Sequence, residues 1–239
     1  MKITIVGMIY KSVVYLNFMI DQLKKYGISN KHQVEFLIIA NDANEKVLEY
    51  LKQSGINHLV YNDPDPLDYY LNRVYRAWNF GGRNASGDIV VFVNSDMAYS
   101  LNWLDKLVDR LNPQTLPCSR LIESGKLLSG QYAISCNFGQ TSQSYYEDGF
   151  IKYCESIAKP EIQLGGLYMP CAFFKTDFVK SGGYPEGNIY EDGAGTLHGR
   201  VIESGDSYFF KRMNEIHGLK HITVFDSLVY HIQEGELDE

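Results

Sequence analysis

The chain has 239 residues, 45% of them hydrophobic and 21% charged, a composition that suits a globular fold long enough to bury a sizeable core. Acidic residues outnumber basic ones 29 to 22, for a formal charge of -7, which sets aside a sequence-independent electrostatic grip on nucleic-acid phosphates. The longest apolar runs fall far short of the roughly 20 residues that span a bilayer, and the 4 cysteines form no CxxC or CxxH pair of the kind structural zinc requires. Free thiols and, with no membrane anchor, a cytoplasmic location are expected.

In chain order, residues 3–9 form an apolar run without the basic lead or small-residue cleavage site of a signal sequence, and they read as a buried strand. Residues 13–26 place Val14, Leu16, Met19, Ile20 and Leu23 at helical spacing, with Gly27 as a stop. A strand at 34–40, a helix at 45–53, a strand at 58–61, a helix at 67–78, a strand at 89–93 and a helix at 101–111 follow. Strands alternating with helices predict an open, mostly parallel sheet with right-handed crossovers, in which ligands bind beyond the carboxyl ends of the strands. The residues to inspect are therefore 8–11, which include Ile9, then Asn41-Asp42, Asn62-Asp63 and Asn94-Ser95-Asp96. After Pro113 the chain turns rich in glycine and aromatics, with short strands expected at 131–137, 167–174 and 223–230. No Pro-, Gly- and Ser-rich linker separates residues 1–112 from 113–239, so they read as two halves of one domain with a frayed acidic tail at 234–239.

The strongest chemical signal is Asn94-Ser95-Asp96 at the end of a buried strand. Residues two apart on an extended backbone emerge on the same side, so Asn94 and Asp96 could share a divalent cation, or hold a metal and a ribose together. A plain alternative is a helix N-cap, with Asp96 or Ser100 ending the loop before Leu101.

Around that tripeptide, Asn79, Gly81-Gly82, Arg83-Asn84, Ser86-Gly87-Asp88 and the apolar run 89–93 stand in order. The segment resembles the donor-binding half of the family 2 glycosyltransferases of the GT-A fold. It departs from that pattern at Asn94, where an aspartate is usual, and at Gly7-Met8-Ile9-Tyr10, which replaces a proline-containing opening. Downstream, the stretch 171–178 followed by Gly182-Gly183-Tyr184-Pro185-Glu186 is similar to the family's acceptor-side strand, short helix and G-G-x-x-E turn. The stretch 203–213 is similar to its E-D-x-D-L-x-x-R segment, with Gly205 in place of the usual glutamate.

The resemblance implies a Rossmann-like α/β sheet with helices on both faces and a mixed α+β acceptor-side half. It implies inverting, metal-assisted transfer of a hexosyl group from a nucleotide-diphospho-sugar, UDP-sugar first, to a carbohydrate or other hydroxyl acceptor. In that reading Asp96 and His231 hold Mn2+ or Mg2+, and Asp206 is the base that takes the acceptor's proton, with Glu191 and Asp192 as rivals. Ile9, Asn41, Asp42, Asn79, Arg83, Asn94 and Ser95 seat the nucleotide-sugar, and Gly183 and Glu186 meet the acceptor. Arg83 could instead pair with Asp88 or Asp42 as scaffolding, Gly183 could mark a tight turn only, and Asp206 is a natural N-cap. Two other readings are a non-catalytic nucleotide-sugar-binding module and a sugar nucleotidyltransferase. The second is disfavoured because residues 8–12 are not Gly-rich.

Overall fold

The computed structural model describes residues 1–127, 130–196 and 199–234, so the expected acidic tail beyond Glu234 lies outside the described residues. In chain order the first elements are β1 (Lys2–Ile9), α1 (Val13–Tyr26), β2 (Gln33–Asn41), α2 (Glu45–Ser54), β3 (His58–Tyr61), α3 (Tyr70–Asn84), β4 (Ile89–Val93), β5 (Met97–Tyr99) and α4 (Trp103–Val108). Next come β6 (Thr115–Glu123), β7 (Ile134–Ser135), α5 (Glu147–Ile157), β8 (Ile162–Leu164), β9 (Cys171–Phe174) and α6 (Lys175–Ser181). The chain finishes with β10 (Ile189–Tyr190), β11 (Gly193–Ala194), β12 (Val201–Glu203), α7 (Gly205–His217) and β13 (Lys220–His231).

The main sheet runs β3-β2-β1-β4-β9-β6-β13-β5 and so draws strands from both halves of the sequence. β3, β2, β1 and β4 are parallel, β9 is antiparallel to both β4 and β6, and β6 and β13 are again parallel. All five residues of β4 are buried, as expected for a strand covered on both faces. On one face α1 inserts Leu16, Met19, Ile20 and Leu23 into a core shared with Ile3, Ile5 and Val91. On the other, Trp78 of α3, Phe178 of α6, and Phe209 and Met213 of α7 pack with Phe92 and Phe173.

Several expected boundaries move for identifiable reasons. The helix expected at 67–78 begins at Tyr70, because Asp63 and Asp65 accept from the backbone N–H of Asp65 and Leu67 in successive side-chain turns. It runs on to Asn84 because Gly81 lets the helix press against Val6 and Ile39, where a Cβ would stand 2.7 and 2.9 Å away. The helix expected at 101–111 contracts to Trp103–Val108, with Asn102 left-handed at φ 57° before it. β6 lies outside the expected strands, and its Pro117 lacks a ladder donor. It is tolerated because β9 pairs with β6 only where Cys171 stands opposite Cys118. The strand expected at 131–137 reduces to Ile134–Ser135, that at 167–174 to Cys171–Phe174, and that at 223–230 extends to Lys220–His231.

This topology gathers the carboxyl ends of β1, β2 and β4 along one edge. β13 brings a second contribution to the same place, because its last residue, His231, pairs in register with both Met97 of β5 and Glu123 of β6. Backbone bonds lock that corner, from Ile232 N–H to Asp96 O at 3.1 Å and from Ser124 N–H to His231 O at 3.2 Å.

Candidate active site

A cavity of about 800 Å³ opens at this edge, a volume that accommodates a ligand of small-molecule size. Its floor is formed by Met8, Asn41, Asn94, Ser95 and Asp96, where the strands end. Tyr10, Tyr70, Arg73 and Val74 make one wall, and Leu127, His231, Gln233 and Glu234 the other.

Two polar groups of the floor are organised differently. Asp96 is buried, with its Oδ2 3.3 Å from His231 Nε2, and the opposite ring nitrogen, Nδ1, lies 3.4 Å from Glu123 Oε1. Burial alone would raise the Asp96 carboxyl, but the ion pair and hydrogen bond from His231 outweigh it and hold the group below its ordinary range. Burial likewise pulls the imidazole down, and the two carboxylates on either side overcome it, pushing His231 up to about 9. Asp96 does not cap α4, which Asn102 precedes.

Asn41 is only 4% exposed, and its Oδ1 faces no hydrogen-bond partner while the residue lines the cavity. Beside it, Asp42 adopts a left-handed φ of 47°, an uncommon conformation for a non-glycine residue. That bend is held from two directions, by the Asp63 N–H donating to Asp42 Oδ1 at 2.8 Å and by Arg73 at 3.3 Å from Oδ2. Arg73 also donates to Pro66 O at 2.9 Å and lies over the Tyr10 ring, 5.7 Å from its centroid. One turn further on, Arg76 grips Asp63 with two bonds of 2.7 and 2.9 Å and reaches Asp68 at 2.7 Å.

The family model for Glycosyl transferase family 2 matches residues 8–125, from the end of β1 to just past Glu123. Through that segment the chain belongs to glycosyl transferase family 2. Among solved structures, GalNAc-T7 with UDP, GalNAc and Mn2+ aligns at a TM-score of 0.59 and 16% identity, over 96% of this chain and 43% of its own. TarS of S. aureus aligns at 0.61 and 12% identity, over 97% of this chain and 36% of its own. Mannosyltransferase PcManGT from Pyrobaculum calidifontis, in complex with GDP-Man and Mn2+, aligns at 0.57 and 14% identity, over 98% and 58%. This chain thus spans less than two thirds of the length of each, and what it shares with them at these identities is the GT-A fold.

Of the residues expected to seat a nucleotide-sugar in this family 2 chain, Asn41, Asn94 and Ser95 line the cavity together with Asp96 and His231. Asp42 borders it through its pairing with Arg73. Ile9 lies at the end of β1 with its side chain in the core on the α1 face, while its neighbours Met8 and Tyr10 line the cavity. Arg83 lies ten residues beyond Arg73, about 15 Å along the helix axis, where it is exposed and donates to Gly182 O at 3.2 Å, outside the cavity's lining. Asn79 also lies outside the lining, and its buried amide clamps Tyr184 by donating to the carbonyl at 2.9 Å and accepting from the N–H at 2.8 Å. Gly183, at φ 84°, is required by that clamp, because a Cβ there would collide with Asn79 Oδ1. Glu186 is exposed, with Arg76 3.9 Å away.

Asp206 is half-buried in the first turn of α7, outside the cavity's lining. The helix N-cap is Ser204, whose Oγ accepts from Ser207 N–H at 3.2 Å, so Asp206 is not occupied in capping. Burial pushes its carboxyl up to about 6, against a hydrogen bond from Tyr75 that lowers it. The rivals Glu191 and Asp192 are exposed at the β10–β11 turn, and Asp192 accepts from Thr196 Oγ1 at 2.6 Å. Sequence reasoning missed Glu123, Arg73 and Tyr70. Glu123 sits in the unexpected strand β6, and Arg73 could have been singled out only by knowing which face of α3 meets the cavity.

The 4 cysteines are free, and among the described residues no helix is long and apolar enough to cross a membrane.

Proposed function

We propose that this chain transfers a sugar from a nucleotide-diphospho-sugar to an acceptor hydroxyl with inversion and with metal assistance, as a cytoplasmic hexosyltransferase. The observation that carries this reading is the Asp96–His231 pair, backed by Glu123, at the floor of a cavity beyond the carboxyl ends of β1, β2 and β4.

Among the described residues no group of three His, Cys, Asp or Glu side chains is arranged to enclose a metal. Two donors converging on a cavity fit an ion that takes its other ligands from diphosphate and water. Glu123 behind His231 fits the pattern in which a carboxylate fixes the ring through its other nitrogen. Asp96 and His231 would hold Mn2+ or Mg2+, whose charge would offset the negative charge growing on the departing nucleoside diphosphate.

The chain's own groups supply the rest. Asn41 Oδ1 is an acceptor ready for a base or ribose donor, and a UDP-sugar offers the imide N–H of uracil. Asn94 and Ser95 stand beside it for the ribose, and Tyr10 and Tyr70 present rings to a base or sugar face. Asp206 accepts the proton of the acceptor hydroxyl as its oxygen bonds to the anomeric carbon and the bond from that carbon to the diphosphate breaks. Gly183 and Glu186 would meet the acceptor.

The departures at Asn94 and Gly205 favour a second reading, a module that binds the donor without turning it over. Release of nucleotide from UDP-, GDP- and dTDP-sugars with Mn2+ separates the two. Metal-dependent release that Asp96→Ala abolishes supports the enzyme, whereas tight calorimetric binding with no release from the folded protein supports the module.

A further inference from the structure

We infer that Tyr75, reaching from α3, is a positioning residue that holds the Asp206 carboxylate and the first turn of α7 in one fixed arrangement. The inference rests on the reading of Asp206 as the acceptor's base.

Three observations carry it. The Asp206 N–H donates to Tyr75 Oη at 3.0 Å, which ties down the first turn of α7 and sets that hydroxyl beside the Asp206 carboxyl, where it favours the ionised form. Tyr75 is itself immobilised, 3% exposed, with its ring 5.4 Å from that of Tyr184. Finally, Gly205 leaves room for this contact. A Cβ at position 205 would lie 2.7 Å from two atoms of the Tyr75 ring and 2.7 Å from Gly187 O. The glycine that replaces the usual glutamate of the motif is thus where α7 closes onto Tyr75, and the departure has a steric cause.

Electrostatic interaction with Asp206 extends to Tyr75 from α3, Cys118 from β6 and Tyr184 from the turn after α6. None of these side chains carries a positive charge. The Tyr75 hydroxyl is then the group that favours the ionised carboxylate, and removing it must make the carboxyl harder to ionise.

The test is nucleotide release from a turned-over donor, with water or an added alcohol as acceptor, followed from pH 5 to 8 in native protein, Tyr75→Phe and Asp206→Asn. Tyr75→Phe keeps the ring and is expected to move the acid limb of kcat upward by about half a pH unit or more, with donor KM within twofold. Asp206→Asn is expected to lose turnover and the acid limb together. Retained turnover in Asp206→Asn overturns the base reading itself. Lost turnover there with an unmoved acid limb in Tyr75→Phe overturns only the role of Tyr75. Should Tyr75→Phe fail to fold by circular dichroism, Gly205→Ala decides, since it pushes α7 off the ring with the hydroxyl intact. An unmoved acid limb in that variant overturns the inference.

Discussion

Two carboxylates of this fold, the buried Asp96 and the half-buried Asp206, are pushed in opposite directions by their surroundings. Asp96 ends a strand at an edge where register delivers His231 as a partner, and it stays ionised despite burial. Asp206 begins a helix among hydroxyls and thiols, and burial raises it to about 6. A group held ionised suits charge neutralisation, and one poised near neutrality suits accepting a proton. The difference comes from topology, since the same residue type is tuned by whether a strand end or a helix start presents it.

The comparison breaks most completely at Asp96. Asp96→Ala should lower metal-dependent nucleotide release by about 100-fold or more and abolish Mn2+ binding measured by electron paramagnetic resonance. Unchanged Mn2+ affinity would dismiss Asp96 as a ligand. At the other carboxylate, Asp206→Asn should cost about 100-fold or more in turnover while stabilising the fold at pH 7. The sign follows from the raised pKa: between about 4 and 6 the unfolded chain ionises first, so native stability falls as pH rises and stays lower above. The amide removes that loss, and thermal melts should show a gain of about 1–3 kcal/mol at pH 7 and none at pH 4. Glu123→Gln is the smaller perturbation on the first side, expected to weaken Mn2+ binding about 10-fold with the fold intact.

Much of the cavity floor was legible in the sequence, because a parallel strand followed by Asn94-Ser95-Asp96 announces its own position. The parallel strands and their helices follow from hydrophobic periodicity, which is local. What periodicity could not supply is register between distant strands. Glu123 stands 108 residues before His231, and only the β6–β13 ladder makes them neighbours. Arg83 illustrates the converse. Its motif position drew attention to the far end of α3, while the helix faces the cavity through Arg73, ten residues earlier. β6 carries Pro117 within a central strand, and the sequence does not disclose that the ladder on its β9 side is a single bridge.

The finest test of the donor side lies outside the cavity, in the support beneath Asp42. Arg76 makes a two-pronged contact with Asp63, whose backbone N–H in turn holds Asp42 in its left-handed bend. Burial would raise the Asp63 carboxyl, yet the guanidinium keeps it below its ordinary range, so this pair stabilises the native state above about pH 4 and the benefit is lost as pH falls. Arg76→Lys preserves the charge and forfeits the fork. The expected cost is about 1–2 kcal/mol in thermal stability at pH 7, shrinking toward pH 3, together with a several-fold rise in donor KM at unchanged kcat. A fall in kcat at constant KM would instead mean that α3 transmits the change to Tyr75 and Asp206, and that the two sides of the site are coupled through one helix.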